Sequence, residues 1–232
     1  QGIMTALQGF GVSSSYALKI YKHFLRRARG NAEVAGREAV KTLREDPYEL
    51  TQVWGIGFLV ADGIAAKIGF RKDDPRRLRS GLSYVLEQAA LDGHVCLPSK
   101  ELIKKAQEIL IGKGAQNSQA LKQSFVAELS SLAGEKRLET RSIDGLDYYY
   151  LPYLYASEQG IASRLKWLAS KAKPVAMRAE AHSLVKSVES QLGIEFADEQ
   201  SSAVQSALQG GVMVITGGPG TGKTTLTRAI VE

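Results

Sequence analysis

The chain has 232 residues, 44% hydrophobic and 23% charged, with 30 Lys and Arg against 24 Asp and Glu and a formal net charge of +6. That balance excludes a wholly disordered or fibrous chain, and no apolar run approaches the ~18–20 residues of a membrane helix. A single cysteine, Cys96, excludes an intrachain disulfide and a cysteine-built metal site; with no export signal at the start, a reducing cytoplasm is the expected compartment.

The positive charge is concentrated. Lys22 to Arg44 holds seven Lys/Arg against two Glu, and Lys67 to Arg79 holds six against two Asp. A basic N-terminal third fits a polyanion partner, although a solvated helix face would account for charge alone. Residue 1 is Gln, and Leu226 to Glu232 reads as a helix without a stop. The chain is therefore expected to be a piece of a longer protein, open at both ends.

Residues 1–74 are helical in period and broken by two similar turns. Gly11-Val12-Ser13 leads through three variable positions to Ala17, and Gly55-Ile56-Gly57 leads likewise to Ala61, 44 residues later. A helix over Asn31 to Arg44 lies between them and ends at Asp46-Pro47, since proline biases the preceding residue away from helix. Residues 75–153 differ. A helix over Arg76 to Asp92 places Leu78, Leu82, Val85, Leu86 and Ala89 on one face and stops at Gly93. His94 to Leu97 is extended, and Ser99 is expected to cap a helix running to Ile111. A third helix covers Ser118 to Leu132. Arg137 to Thr140 and Tyr148 to Leu151 then flank Ser142-Ile143-Asp144-Gly145 as a β-hairpin with an Asp-Gly turn. Three helices and a hairpin predict a small winged-helix-like module. Residues 154–192 read as a helical connector broken at Pro174, with Ile161, Leu165 and Leu168 on one apolar face and Leu184, Val188 and Leu192 on another. From residue 193 the pattern changes again. A helix opens at Asp198-Glu199-Gln200 and stops at Gly210-Gly211. Val212-Met213-Val214-Ile215 is expected as a fully buried strand, followed by Thr216 to Thr225 and a helix.

Gly217-Gly218-Pro219-Gly220-Thr221-Gly222-Lys223-Thr224, with Thr225 after it, has the spacing of a phosphate-binding P-loop. Its glycines let backbone N–H groups face a phosphate, and the next helix presents its positive end to the same anion. Lys223 suits the β- and γ-phosphates of ATP, and the Thr224 hydroxyl suits Mg²⁺. Gln200 lies 17 residues before Gly217, on the helix entering the expected strand, where an amide can pair with an adenine edge. The two Gly-turn repeats match helix-hairpin-helix motifs, which grip nucleic-acid backbone without reading bases. Gly11, Ser13, Gly55 and Gly57 shape the turns, and Lys19, Lys22, Arg26 and Lys67 are candidate phosphate partners. Ser13 stands where the second copy has Gly57, which weakens the first copy's claim to direct contact. His23, His94 and His182 are dispersed and form no metal site. Asp73-Asp74 reads as a loop. Trp54 and Trp167 are expected to pack, and Tyr148, Tyr149 and Tyr150 to alternate strand faces.

Pro47-Tyr48-Glu49-Leu50, Gly55-Ile56-Gly57-Phe58, Ala61-Asp62, Ile64-Ala65, Asp92-Gly93-His94-Val95 and Leu97-Pro98 together resemble the N-terminal region of bacterial RecD-like DNA helicases. Asp198-Glu199-Gln200, Ala203-Val204 and the P-loop resemble the start of that family's first motor domain. Trp54 departs from the polar or acidic residue usual before Gly-Ile-Gly-Phe. The fold so implied is mainly α. It comprises a tandem helix-hairpin-helix region (1–74), a winged-helix-like module (75–153), a connector (154–192) and the first strand and helix of a truncated RecA-like α/β domain (193–232). The function implied is an ATP-dependent superfamily 1 helicase moving 5′ to 3′ on single-stranded DNA, with its helical modules at the duplex junction and no membrane partner. The resemblance names no protein partner. Only eight residues follow Thr224, so the chain alone is expected to have no ATPase activity. Two alternatives stay open: a non-enzymatic DNA-binding adaptor, and another DNA-repair P-loop ATPase.

Overall fold

Apolar residues three and four positions apart build the first helices. In the computed structural model, which describes residues 2–112, 119–173 and 178–231, α1 spans Gly2–Gly9, α2 Ser14–Arg27 and α3 Ala32–Glu45, a 3₁₀ turn covers Pro47–Gln52, and α4 spans Phe58–Ile68. Ala17, Ile20 and Phe24 of α2 are buried, as are Ala35, Ala39 and Leu43 of α3, and these two helices pack on each other. The Asn31 side chain caps α3, accepting from the backbone N–H groups of Glu33 and Val34 at 3.1 Å. The expected break falls at Asp46, whose carboxylate accepts from Tyr48 N at 3.0 Å and starts the 3₁₀ turn.

A second set of elements follows: α5 (Pro75–Leu91), β1 (Cys96–Pro98), α6 (Ser99–Ile111), α7 (Gln119–Gly134), β2 (Glu139–Ile143) and β3 (Leu146–Tyr150). The sheet order is β1-β3-β2, antiparallel throughout, with Tyr150 opposite both Cys96 and Glu139. Three helices and a three-stranded sheet thus alternate in the order helix, strand, helix, helix, strand, strand. Asp144 and Gly145 at the β2–β3 turn have φ of 51° and 75°, the two positive values of a type I′ turn, which the Asp-Gly pair favours. Asp74 caps α5 through Arg76 N at 2.9 Å, and Pro75 fills the first helical position, where its missing N–H costs nothing. Ser99 is the first residue of α6 and does not cap it. Pro98 is the cap, and no side chain bonds there. The predicted start of α7 at Ser118 lies outside the described residues.

One polar node joins these two sets. Arg77 of α5 holds Asp62 of α4 through two bonds of 2.7 and 2.9 Å, and the Tyr48 hydroxyl donates to the same carboxylate at 2.9 Å. The Arg77 and Asp62 side chains are only 12% and 21% exposed. Burial, with the Asp62 carboxylate as second cause, drives the Tyr48 hydroxyl far above its ordinary value, so it remains a donor at any neutral pH. The Tyr48 ring lies near-parallel to Phe58, which in turn lies near-parallel to Tyr84 of α5.

The chain divides into units Gln1–Tyr155 and Ala156–Glu232. The second contains most of α8 (Pro152–Lys171), then α9 (Arg178–Leu192), α10 (Asp198–Leu208) and α11 (Lys223–Val231); the predicted break at Pro174 lies outside the described residues. Its small core gathers Val185, Phe196, Val204, Leu226 and Ala229. Two expectations are corrected. No residue of α8 is buried, and Ile161, Leu165 and Leu168 face solvent. On α9 Val188 and Leu192 pack against this core as predicted, but Ala181, Val185 and Glu189 are the buried positions and Leu184 is exposed, so the inward face is shifted by part of a turn from the predicted one. Val212–Ile215 also departs from its prediction. It forms no strand, and Val214 is 81% exposed. A strand needs a neighbour to take its N–H and C=O groups, and the three strands of the described residues all belong to the other sheet.

Removing one member of a buried ion pair leaves the other charge uncompensated. Asp62→Ala is therefore expected to lower the unfolding free energy by about 3 kcal/mol, measured as a shift in denaturant midpoint. A midpoint unchanged from the parent chain would show the node to be dispensable.

Candidate nucleic-acid interface and nucleotide site

Both repeat turns rest on glycines in the left-handed region, Gly11 at φ 73° and Gly55 at φ 78°, where a Cβ is disfavoured. Ser13 and Gly57 are the residues before α2 and α4, in extended conformation and with no side-chain cap. The opening N–H groups of both helices therefore have no capping side chain.

Each turn is approached by a lysine of the other hairpin. Lys67, near the end of α4, donates to the Gly11 carbonyl at 3.0 Å, and a Cβ on Gly11 would meet its Cδ at 2.7 Å. Lys19 of α2 approaches the second turn, where a Cβ on Gly55 would meet its Nζ at 2.7 Å. The Lys19 ammonium lies 5.5 Å from the Tyr16 ring centroid and 5.6 Å from that of Trp54. The structure thus draws Gly11, Gly55, Lys19 and Lys67 together. Lys22 and Arg26 are exposed on α2, three and seven residues beyond Lys19, which extends the same helix face. Burial first, then the charges of Arg27 and Arg26, holds His23 below its ordinary value and neutral near pH 7. Trp54 is 85% exposed and Trp167 60%, so neither packs as expected. Chemical identity could not reveal this, because an indole before a Gly turn is compatible with either side of the surface.

In the second unit the P-loop runs from Gly217 into the N-terminus of α11. Gly220 and Gly222 both have φ of 78°. The Lys223 ammonium donates to the Gly217 and Gly218 carbonyls at 2.7 and 2.6 Å, and Thr221 Oγ1 donates to the Gly218 carbonyl at 3.0 Å. Gln200 links α10 to this loop. Its Oε1 accepts from Ala197 N at 3.1 Å, half of a capping box, and its Nε2 donates to the Thr221 carbonyl at 3.2 Å. A Cβ on Gly222 would lie 2.7 Å from that Nε2, and one on Gly217 would lie 2.7 Å from Thr221 Oγ1. Beside the loop is a cavity of about 500 Å³, lined by Gln200, Ala203, Met213, Ile215, Thr221 and Lys223 among others. Thr224 and Thr225 are exposed at the helix start. Pro219 lies in the loop and has no amide N–H to offer. A loop with no room for a Cβ at Gly217 or Gly222, an ammonium resting on carbonyls and an exposed Thr224 hydroxyl fit a nucleoside triphosphate with magnesium. Among the described residues no group of three His, Cys, Asp or Glu could hold a metal by itself.

Sequence reasoning missed Glu189. It is 8% exposed and accepts from Phe196 N at 2.8 Å and from Lys186 at 2.9 Å. The Phe196 amide first, then Lys186, holds its carboxyl below the usual range. Glu189 thereby anchors the segment that leads into α10 and Gln200. A polar residue within an otherwise apolar face of α9 was its only signal.

Residues 1–96 match the family model described as "ATP-dependent RecD2 DNA helicase HHH domain", and residues 200–232 match one described as "AAA domain". Over 232 residues the chain is 30% identical to a protein of Deinococcus radiodurans described as "ATP-dependent RecD2 DNA helicase". The alignment covers 99% of this chain and 30% of that protein, so the chain spans about a third of its relative's length.

A folded-state pKa below the unfolded one contributes stability above the unfolded value, and that contribution is lost as pH falls through the folded value. Glu189 is therefore expected to support the second unit above about pH 4.3 and to cease doing so in stronger acid. Glu189→Gln should flatten this acid dependence of thermal unfolding; parallel profiles for the two proteins would contradict it. At the hairpins, Gly55→Ala places a Cβ in the left-handed region and against Lys19. It is expected to cost about 1–2 kcal/mol and to weaken DNA binding, measured by denaturation and by titration with an oligonucleotide.

Proposed function

We propose that this chain, RecD-like from its hairpins into its P-loop, is the DNA-engaging front and the motor entry of an ATP-dependent DNA helicase. The observation that carries the proposal is the reciprocal approach of the two hairpins, Lys67 bonded to the Gly11 carbonyl and Lys19 lying beside Gly55, on a chain that also bears a complete P-loop. Paired turns of this kind present two helix N-termini and several cations to one phosphate backbone, which supports grip without base readout. Such binding suits a motor that must pass over any sequence. Single-stranded DNA and the junction with duplex are the proposed partners, and translocation 5′ to 3′ follows from the likeness to RecD helicases. No described helix is long and apolar enough to cross a membrane, and the cytoplasm is the proposed site of action.

At the P-loop, Lys223 and the N–H groups of Gly218 and of Gly220 to Thr225 would hold the phosphates. Thr224 would ligate magnesium, and Gln200 would meet the adenine edge. ATP with magnesium would supply the free energy of stepping. The chain's own residues do the positioning. The glycines clear space, and the Lys223 ammonium neutralises phosphate charge. Gln200, already bonded to Thr221, ties occupancy of the base site to the loop. The chain covers 30% of its relative, and the carboxylates that activate water in such motors are proposed to lie in the remainder, so the isolated chain is proposed to bind without turning over ATP.

Two measurements test this. The affinity of the 232-residue chain for a single-stranded oligonucleotide should fall linearly on log–log axes with salt and show little sequence preference. Affinity insensitive to salt would return the hairpins to a purely structural role. In the full-length parent, DNA-stimulated ATP hydrolysis should fall by roughly 100-fold or more for Lys223→Ala, whereas the isolated chain should show none. Turnover by the isolated chain would refute the assignment of the water-activating residues elsewhere.

A further inference from the structure

Trp54 is the most exposed large apolar side chain in the described residues of the first unit, at 85%. It stands immediately before the left-handed Gly55, at the turn proposed above to hold phosphate. An indole carries one of the largest apolar surfaces a side chain offers, and here the fold gives it no apolar cover. What touches it is a cation. The Lys19 ammonium lies between the Trp54 and Tyr16 rings, 5.6 and 5.5 Å from their centroids. Cation–π attraction holds an ammonium over an aromatic face, so ring and charge are presented together. Among the described residues no carboxylate pairs with Lys19. Leu59, in the first turn of the helix that follows, is 62% exposed and adds a second apolar residue near this corner.

We infer that Trp54 is a stacking platform for an unpaired nucleobase whose adjoining phosphate is held by Lys19 and the Gly55 turn. The ligand class is single-stranded DNA, or the frayed base at the end of a duplex. Aromatic stacking accepts any base because every base has a π-face, so the platform is compatible with a grip that does not read sequence. It discriminates by strandedness, since a paired base within a helix has both faces covered. A protein partner fits the surroundings less well: Lys19, Lys67, Lys22 and Arg26 form a cationic neighbourhood that suits a polyanion. The inference rests on the reading of the hairpins as DNA-binding and adds to it the element that prefers unpaired strand.

The test uses the 232-residue chain carrying Trp167→Phe, so that Trp54 is the sole tryptophan and is excited selectively over the tyrosines. It is titrated with oligothymidylate and with a blunt duplex of equal length, at several salt concentrations. Stacking should quench Trp54 fluorescence with the single strand. Trp54→Ala should weaken oligothymidylate binding about 5- to 140-fold, the range equivalent to one stacked base, while duplex affinity moves less than about 2-fold. Trp54→Phe, which keeps a π-face, should recover most of the loss. Equal losses on both DNAs, or no recovery with Phe, would overturn the inference and leave Trp54 as a support of the turn. Full single-strand affinity in Trp54→Ala, with the salt dependence intact, would overturn it while sparing the DNA-binding reading and would leave the indole to a protein partner. Failure of the parent chain to bind either DNA in a salt-dependent way would remove the DNA-binding reading and the inference with it.

Discussion

The Asp62–Arg77 pair fixes the geometry on which the first unit depends. It joins α4, the second helix of the second hairpin, to α5, the first helix of the module that follows. Charges this far out of water are expensive to bury, and an ion pair seldom repays that cost against an apolar substitute. What the pair supplies here is direction. Two bonds from one guanidinium and one from the Tyr48 hydroxyl accept a single relative orientation of three elements, which apolar packing alone does not specify. With α4 so placed, Lys67 reaches back to Gly11 and the Gly55 turn meets Lys19.

The two units use one physical device twice. In each, a glycine-rich turn opens a helix, and a lysine ammonium rests on a carbonyl of such a turn. Lys67 bonds Gly11, and Lys223 bonds Gly217 and Gly218. In the first unit the residues before α2 and α4 make no side-chain cap, and in the second the residue before α11 is Gly222, which has no side chain to cap with. Uncapped N–H groups at a helix start attract anions through hydrogen bonding and the helix dipole together. The ligands proposed for the two places, a DNA backbone and a nucleoside triphosphate, share the phosphate that this device suits.

The P-loop also depends on a second residue set. Gln200 bonds the loop from outside, and it is positioned by α10, whose approach is set by Glu189 holding the Phe196 amide. Glu189, the one buried acid among the described residues of this unit, thus holds a backbone segment. The Val212–Ile215 run, exposed over Val212–Val214, shows the converse. Its sequence has strand character, but hydrogen-bonding partners, which a sequence segment cannot provide for itself, decide whether a strand forms.

The order and type of most elements were legible in the residues. Asp46-Pro47 set a helix boundary, Asp144-Gly145 set a two-residue turn, and the glycines of the repeats and the P-loop marked backbone that a Cβ would obstruct. These are local signals, carried by φ preferences and by capping groups within a few residues of each other. Tertiary structure decided the rest. The hairpin periodicity could not say that each turn would be covered by the other hairpin's lysine, since Lys67 and Gly11 are 56 residues apart. Nor could it place Asp62 beside Arg77, which requires two helices to cross at a particular angle. The apolar face assigned to α8 is not buried and Leu184 of α9 is exposed, because amphipathic spacing tells which residues share a face, and not whether anything packs against it. Trp54 is the sharpest case: its chemistry is local, while its exposure depends on everything that did not pack over it.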